Sequence, residues 1–100
     1  MRFVLTIKSG PEEGQTLSIG PGERRLLGRA PKADLRITSD EYLSDLHVSF
    51  DVDEAGTCTA RDLYSSNGTF LNGSRLDEAV LKSGDTLRAG ATEIAVRIEA

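Results

Sequence analysis

The sequence predicts an all-β sandwich, and three observations carry that reading. Apolar and polar residues alternate with a period of two in several short segments, as in half-buried strands: Phe3, Leu5 and Ile7; Val48, Phe50 and Val52; Ile94, Val96 and Ile98. Turn-forming residues recur roughly every 8–12 positions, the spacing of a sandwich or barrel. No window sustains the roughly 3.6-residue period of an amphipathic helix.

The elements follow in order. Phe3 to Ile7 is a first strand with one buried face, broken by Ser9-Gly10-Pro11. Leu17 and Ile19 mark a second strand, so a hairpin is expected. Arg24 to Leu27 is a third, closed by Gly28-Arg29. Ala33 to Ile37 reads as a fourth, followed by a polar stretch from Thr38 to Ser44. Val48 to Val52 is the cleanest alternation, and Glu54-Ala55-Gly56 turns into Cys58 and Ala60. Thr69-Phe70-Leu71 lies between Asn67-Gly68 and Asn72-Gly73, two pairs suited to tight turns with positive φ. Leu76, Val80 and Leu81 mark minor strands. Ser83-Gly84-Asp85 and Ala89-Gly90-Ala91 bracket the next, and Ile94 to Ile98 is the last. Most pairing is expected to be antiparallel.

The chain has 100 residues, enough for one domain over 1–100 with a core of its own and no need of disulfides or metal. The chain stops soon after its last apolar run, which leaves open a domain cut from a longer protein. Net charge is −4 and the pI about 4.9, against nucleic-acid binding and against adsorption to anionic membranes. Cys58 is the only cysteine and reads as a buried core thiol. No apolar run approaches a membrane span, and no signal-peptide core opens the chain, so cytoplasmic residence is the default.

Three loops carry the unusual polar chemistry: Gly28-Arg29, Ser44-Asp45-Leu46-His47, and Ser65-Ser66-Asn67-Gly68-Thr69, with Asn72-Gly73 close behind. They read as one polar rim on a rigid β scaffold, fit to hold another protein. His47 is the only histidine, and no other ligands stand at metal-site spacing, so neither a metal nor a cofactor is expected. A hydrolase built from Ser44, His47 and Asp45 is a poor reading, because serine and histidine three apart on a short loop rarely face each other and no nucleophile elbow surrounds the serine.

Gly28-Arg29, Ser44-x-x-His47, Ser66-Asn67-Gly68-Thr69, Asn72-Gly73, Leu81-x-x-Gly84-Asp85 and Gly90, in that order, resemble the forkhead-associated (FHA) domain family over essentially the whole chain. The resemblance implies a β-sandwich of about eleven strands that is not an enzyme and binds phosphothreonine peptides through loops at one end. It implies phosphate contacts for Arg29, Ser44 and Ser66, and peptide main-chain contacts for Asn67 and Asp45. It assigns Gly28, His47, Gly68, Thr69, Asn72 and Gly73 to holding the loops. A phosphothreonine brings roughly −1.5 to −2 charges and three acceptor oxygens, which the planar fork of Arg29 suits.

The pattern departs from the family at two points. Asp45 stands where arginine is common, and Tyr42 where many members have a basic residue. With Asp40 and Glu41 nearby, the rim sets acids against Arg29 and a candidate second cation, Lys32 or Arg36. The expectation is weakened phosphate affinity, or a partner with basic residues flanking its phosphothreonine. The alternative is a phosphate-independent docking domain that keeps the fold but not the ligand, as in some bacterial secretion assemblies. A monomer is expected.

Overall fold

In a computed structural model that describes residues 1–100, the alternating segments become eleven strands, and no helix forms. They are β1 (Arg2–Ile7), β2 (Thr16–Ile19), β3 (Arg24–Gly28), β4 (Leu35–Arg36), β5 (Val48–Val52) and β6 (Cys58–Asp62). The remainder are β7 (Thr69–Leu71), β8 (Ser74–Leu76), β9 (Glu78–Leu81), β10 (Thr86–Ala89) and β11 (Thr92–Glu99). Two sheets stack face to face. One has the order β2-β1-β11-β10-β7-β8, the other β4-β3-β5-β6-β9.

Register explains why the apolar residues meet. Paired residues on neighbouring strands point to the same face. Phe3 lies opposite Ile98, Leu5 opposite Val96 and Ile7 opposite Ile94. In the other sheet Phe50 lies opposite Ala60 and Val52 opposite Cys58. The two inner faces supply most of a 19-residue core that includes Leu5, Leu27, Phe50, Leu87 and Ile94. Val4, on the other face of β1, is buried too, so the expectation of a single buried face is incomplete there.

The fourth strand is shorter than expected. Only Leu35–Arg36 form a ladder, and it runs parallel to β3. A turn closed by the Ala33 amide on the Ala30 carbonyl leads into it, and the Asp34 carboxylate takes the Leu26 amide at 2.7 Å in place of a ladder partner. Beyond it, the connection to β5 is anchored by Ile37 and Leu43, which both join the core. Those anchors fix the stretch that carries Ser44 to His47.

Cys58 lies fully in the core. Burial, with Asp51 adding its charge, pushes its thiol up to about 12. The folded protein at neutral pH should therefore react with a thiol reagent only as fast as it unfolds. Labelling at the rate of a free cysteine without denaturant would contradict this placement.

Candidate functional site

The site grows from the end of β3. Leu27 is held in the core, so Gly28 and Arg29 leave the sheet at a fixed point. Gly28 is glycine because the next loop crosses directly over it. A Cβ there would run into the Asp45 carbonyl oxygen. The close approach is closed by two main-chain bonds, from the Arg29 amide to the Ser44 carbonyl and from the Ala30 amide to the Asp45 carbonyl, each 3.1 Å. Arg29 is half-buried, and one terminal nitrogen reaches the Thr38 carbonyl at 3.4 Å, a long bond that leaves most of the guanidinium donors free. Arg36 donates from Nε to the Arg29 carbonyl at 3.0 Å, which brings a second cation alongside.

His47 joins the second loop to the third. The Ser44 amide donates to His47 Nδ1 at 3.0 Å. Since Nδ1 accepts, Nε2 carries the ring proton and donates it to the Gly68 carbonyl at 2.9 Å. The ring is fully buried, and both nitrogens are used within the protein. Nothing is left with which to abstract a proton from Ser44, whose hydroxyl is bonded elsewhere. Ser44 Oγ accepts the Ser66 amide at 3.1 Å, so its own proton remains free to donate.

The third loop is folded around Asp62, at the end of β6. Its carboxylate accepts from the Ser65 amide at 3.1 Å, the Ser65 hydroxyl at 2.5 Å and the Thr69 hydroxyl at 2.7 Å. Ser65 Oγ in turn accepts the Gly68 amide at 3.0 Å, and Gly68 turns the chain with φ 84°. Asn67 donates from its side chain to the Tyr42 carbonyl at 2.9 Å, a second tie to the neighbouring loop. Burial pushes the Asp62 carboxyl up, but the Ser65 and Thr69 hydroxyls and the Ser65 amide outweigh it and hold the group below its ordinary 3.8.

The candidate residues thus fall into two sets. Arg29, Ser44, Asp45, Ser66 and Asn67 come together at one end of the sandwich and are exposed or half-buried; Gly28, His47, Gly68 and Thr69 lie buried beneath them. Asn72 and Gly73 are elsewhere. They turn the chain beyond the far end of β7 with φ of 50° and 88°, and Asn72 bonds to Asp85 at 3.0 Å and to the Thr86 amide at 2.9 Å. They brace the opposite end, so the single rim expected from sequence excludes them.

The acids also divide. Asp40 does not face the rim. It is buried, and its carboxylate accepts the Tyr42 and Ala91 amides and the Thr92 hydroxyl at 2.9, 2.8 and 2.7 Å. Its oxygens are committed to protein donors, so its structural role is to brace the loop. Glu41 and Asp45 are exposed, and neither forms an ion pair. Asp40 and Asp62 are the site-building residues that the sequence reading missed. The one available signal was Asp62 three positions before Ser65, the spacing of a side chain folding back onto a turn.

Replacing Asp62 with alanine leaves two buried hydroxyls and an amide without acceptors, which should cost about 2–4 kcal/mol of unfolding free energy at neutral pH. The lowered carboxyl value means that its contribution is full above 3.8 and disappears as pH falls through the folded-state value. Denaturant titrations should therefore show the gap between wild type and variant closing in strong acid. A gap unchanged near pH 2 would contradict the assignment.

Comparison with known proteins agrees with this architecture. Residues 25–90 match the FHA domain family. An FHA domain-containing protein of Arabidopsis thaliana is 34% identical over 86% of this chain and 23% of its own. The chain spans between 9% and 59% of the length of the five curated relatives it matches. An FHA structure described in terms of phosphothreonine-dependent interactions superposes with a TM-score of 0.88, at 30% identity, covering 100% of this chain and 99% of that one. The FHA domain of FhaA, solved in complex with the intracellular domain of Rv3910, gives 0.84 at 32% identity, over 95% and 99% of the two chains. The chain belongs to the FHA-domain family.

Proposed function

We propose that this domain is a non-catalytic interaction module that binds a phosphothreonine-containing segment of a partner protein in serine/threonine-kinase signalling. One observation carries the reading: the Ser44 hydroxyl and the Ser66 amide are bonded to each other next to the free fork of Arg29, on three loops that the buried braces hold together. The Ser44 hydroxyl accepts that amide and keeps its own proton for a phosphate oxygen, the exposed Ser66 hydroxyl is a second donor, and Arg29 adds charge and bidentate geometry. Asn67 gives one amide proton to the Tyr42 carbonyl and keeps a second proton and its oxygen, which can meet the main chain of a bound segment, and exposed Asp45 offers a carboxylate to a peptide N–H. The likeness to phosphothreonine-dependent FHA interactions supports the same chemistry.

Exposed, unpaired Asp45 and Glu41 give the rim a negative component. Next to them is a hollow of about 310 Å³ whose lining includes Glu12, Glu41 and Tyr42 and no cation. A partner with basic residues flanking its phosphothreonine offsets those charges. Asp45 also favours a second reading, phosphate-independent docking through the same fold.

Calorimetric titration with a phosphothreonine peptide library and its unphosphorylated twin separates the two readings. Binding should require the phosphate, and Arg29→Ala should weaken it about 10- to 100-fold, the worth of charge-assisted hydrogen bonds. Equal binding of both libraries supports docking instead. Asp45→Asn should tighten phosphopeptide binding by up to about fivefold, as expected of one exposed charge; weaker binding would show that the carboxylate contacts the peptide rather than repelling the phosphate.

A further inference from the structure

Two non-glycine residues have positive φ, Asn72 at 50° and Tyr64 at 56°. Asn72 is a residue type that tolerates this region, and its side chain is bonded on both sides. Tyr64 has neither excuse. A bulky side chain is disfavoured there, and the residue is fully exposed, so no packing within the domain compensates for the strain. The loop forces the conformation, because Asp62 pulls the Ser65 amide and hydroxyl back toward β6 and leaves position 64 at the apex. A glycine or asparagine would fill that apex at lower cost. The tyrosine therefore contributes nothing to the fold that a smaller residue would not.

Its position points to what it does contribute. Tyr64 is two residues from Ser66, on the loop that carries Ser66 and Asn67. The chain has two tyrosines, and both, Tyr42 and Tyr64, are exposed on the loops of this end. Tyr64 lines a hollow of about 440 Å³ whose charged residues are one cation, Arg61, and three acids, Asp62, Asp77 and Glu78. Glu78 is paired with Arg61 at 2.6 Å, while Asp77 has no ion pair. An exposed aromatic side chain lining the same hollow as an unpaired carboxylate is complementary to a guanidinium, which can stack on the ring and pair with the acid.

We infer that Tyr64 is a specificity-determining contact, held outward by a strained backbone to stack on an arginine flanking the partner's phosphothreonine, with Asp77 supplying the opposite charge. This rests on the phosphothreonine reading and extends it to a residue outside the phosphate-binding set.

The test pairs stability with affinity. Tyr64→Gly relieves the strain, so its melting temperature should equal or exceed that of the wild type. The same variant should bind arginine-flanked phosphothreonine peptides about three- to tenfold more weakly, with peptides carrying alanine at the flank unchanged. Tyr64→Phe keeps the ring and should keep the preference. Undiminished preference for arginine in Tyr64→Gly overturns the inference, and so does an equal loss for arginine- and alanine-flanked peptides, which would place the effect in the loop rather than the ring. Failure of the wild type to distinguish phosphorylated from unphosphorylated peptides overturns the phosphothreonine reading and this one with it. That outcome is read on the wild type alone, so it is separate from the two read on the variant.

Discussion

His47 has both ring nitrogens committed, one to the Ser44 amide and one to the Gly68 carbonyl. Those groups lie on the loops that lead into β5 and β7, strands of different sheets. The ring thus sets the spacing between the two sheets at the loop end. Only the neutral imidazole fits, because one nitrogen must accept while the other donates. Losing the ring would strand a donor and a buried acceptor, each at a cost of about 1–3 kcal/mol. The candidate contacts at this end, Arg29, Ser44, Ser66 and Asn67, lie on loops held by that bond pair and by the crossing of the second loop over Gly28. Donors fixed before binding lose little freedom on binding, which would favour the proposed capture of a phosphorylated side chain by so small a rim.

Aspartates do most of the remaining loop construction. Asp62 folds the third loop, Asp40 ties the second to the turn between β10 and β11, and Asp85 meets Asn72 at the opposite end. Each accepts from amides or hydroxyls and none pairs with a cation. These carboxylates keep their charge while accepting from protein donors, and the net charge of −4 does not by itself describe the local field at the rim. Asp45, Glu41 and Asp77 are exposed acids without an ion pair and remain available to a ligand.

The sandwich was legible because its strands are half-buried and alternate strictly, so Val48-Ser49-Phe50-Asp51-Val52 announces both its conformation and its inward face. The site loops were legible through residue types with narrow uses: a glycine under a crossing loop, one histidine, an Asn-Gly turn. What the sequence concealed depends on long-range placement. A two-residue parallel strand has no period to detect. Asp40 reads as one more solvated acid until the turn at Ala91, 51 residues away, is seen to donate to it. Asn72-Gly73 looks continuous with the third loop, yet the three residues of β7 carry it to the other end. Tyr64 is the local exception: Asp62 imposes its φ through Ser65, but a tyrosine is not a residue type that announces a positive φ.

The most direct test of the central claim follows the backbone amides of the free domain during addition of a phosphothreonine peptide library and of its unphosphorylated twin. The expected result is a phosphate-dependent shift at Arg29, Ser44, Ser66 and Asn67, with the bonds of His47 to Ser44 and Gly68 undisturbed. Equal shifts with both libraries, or shifts centred on another face of the sandwich, would contradict the account.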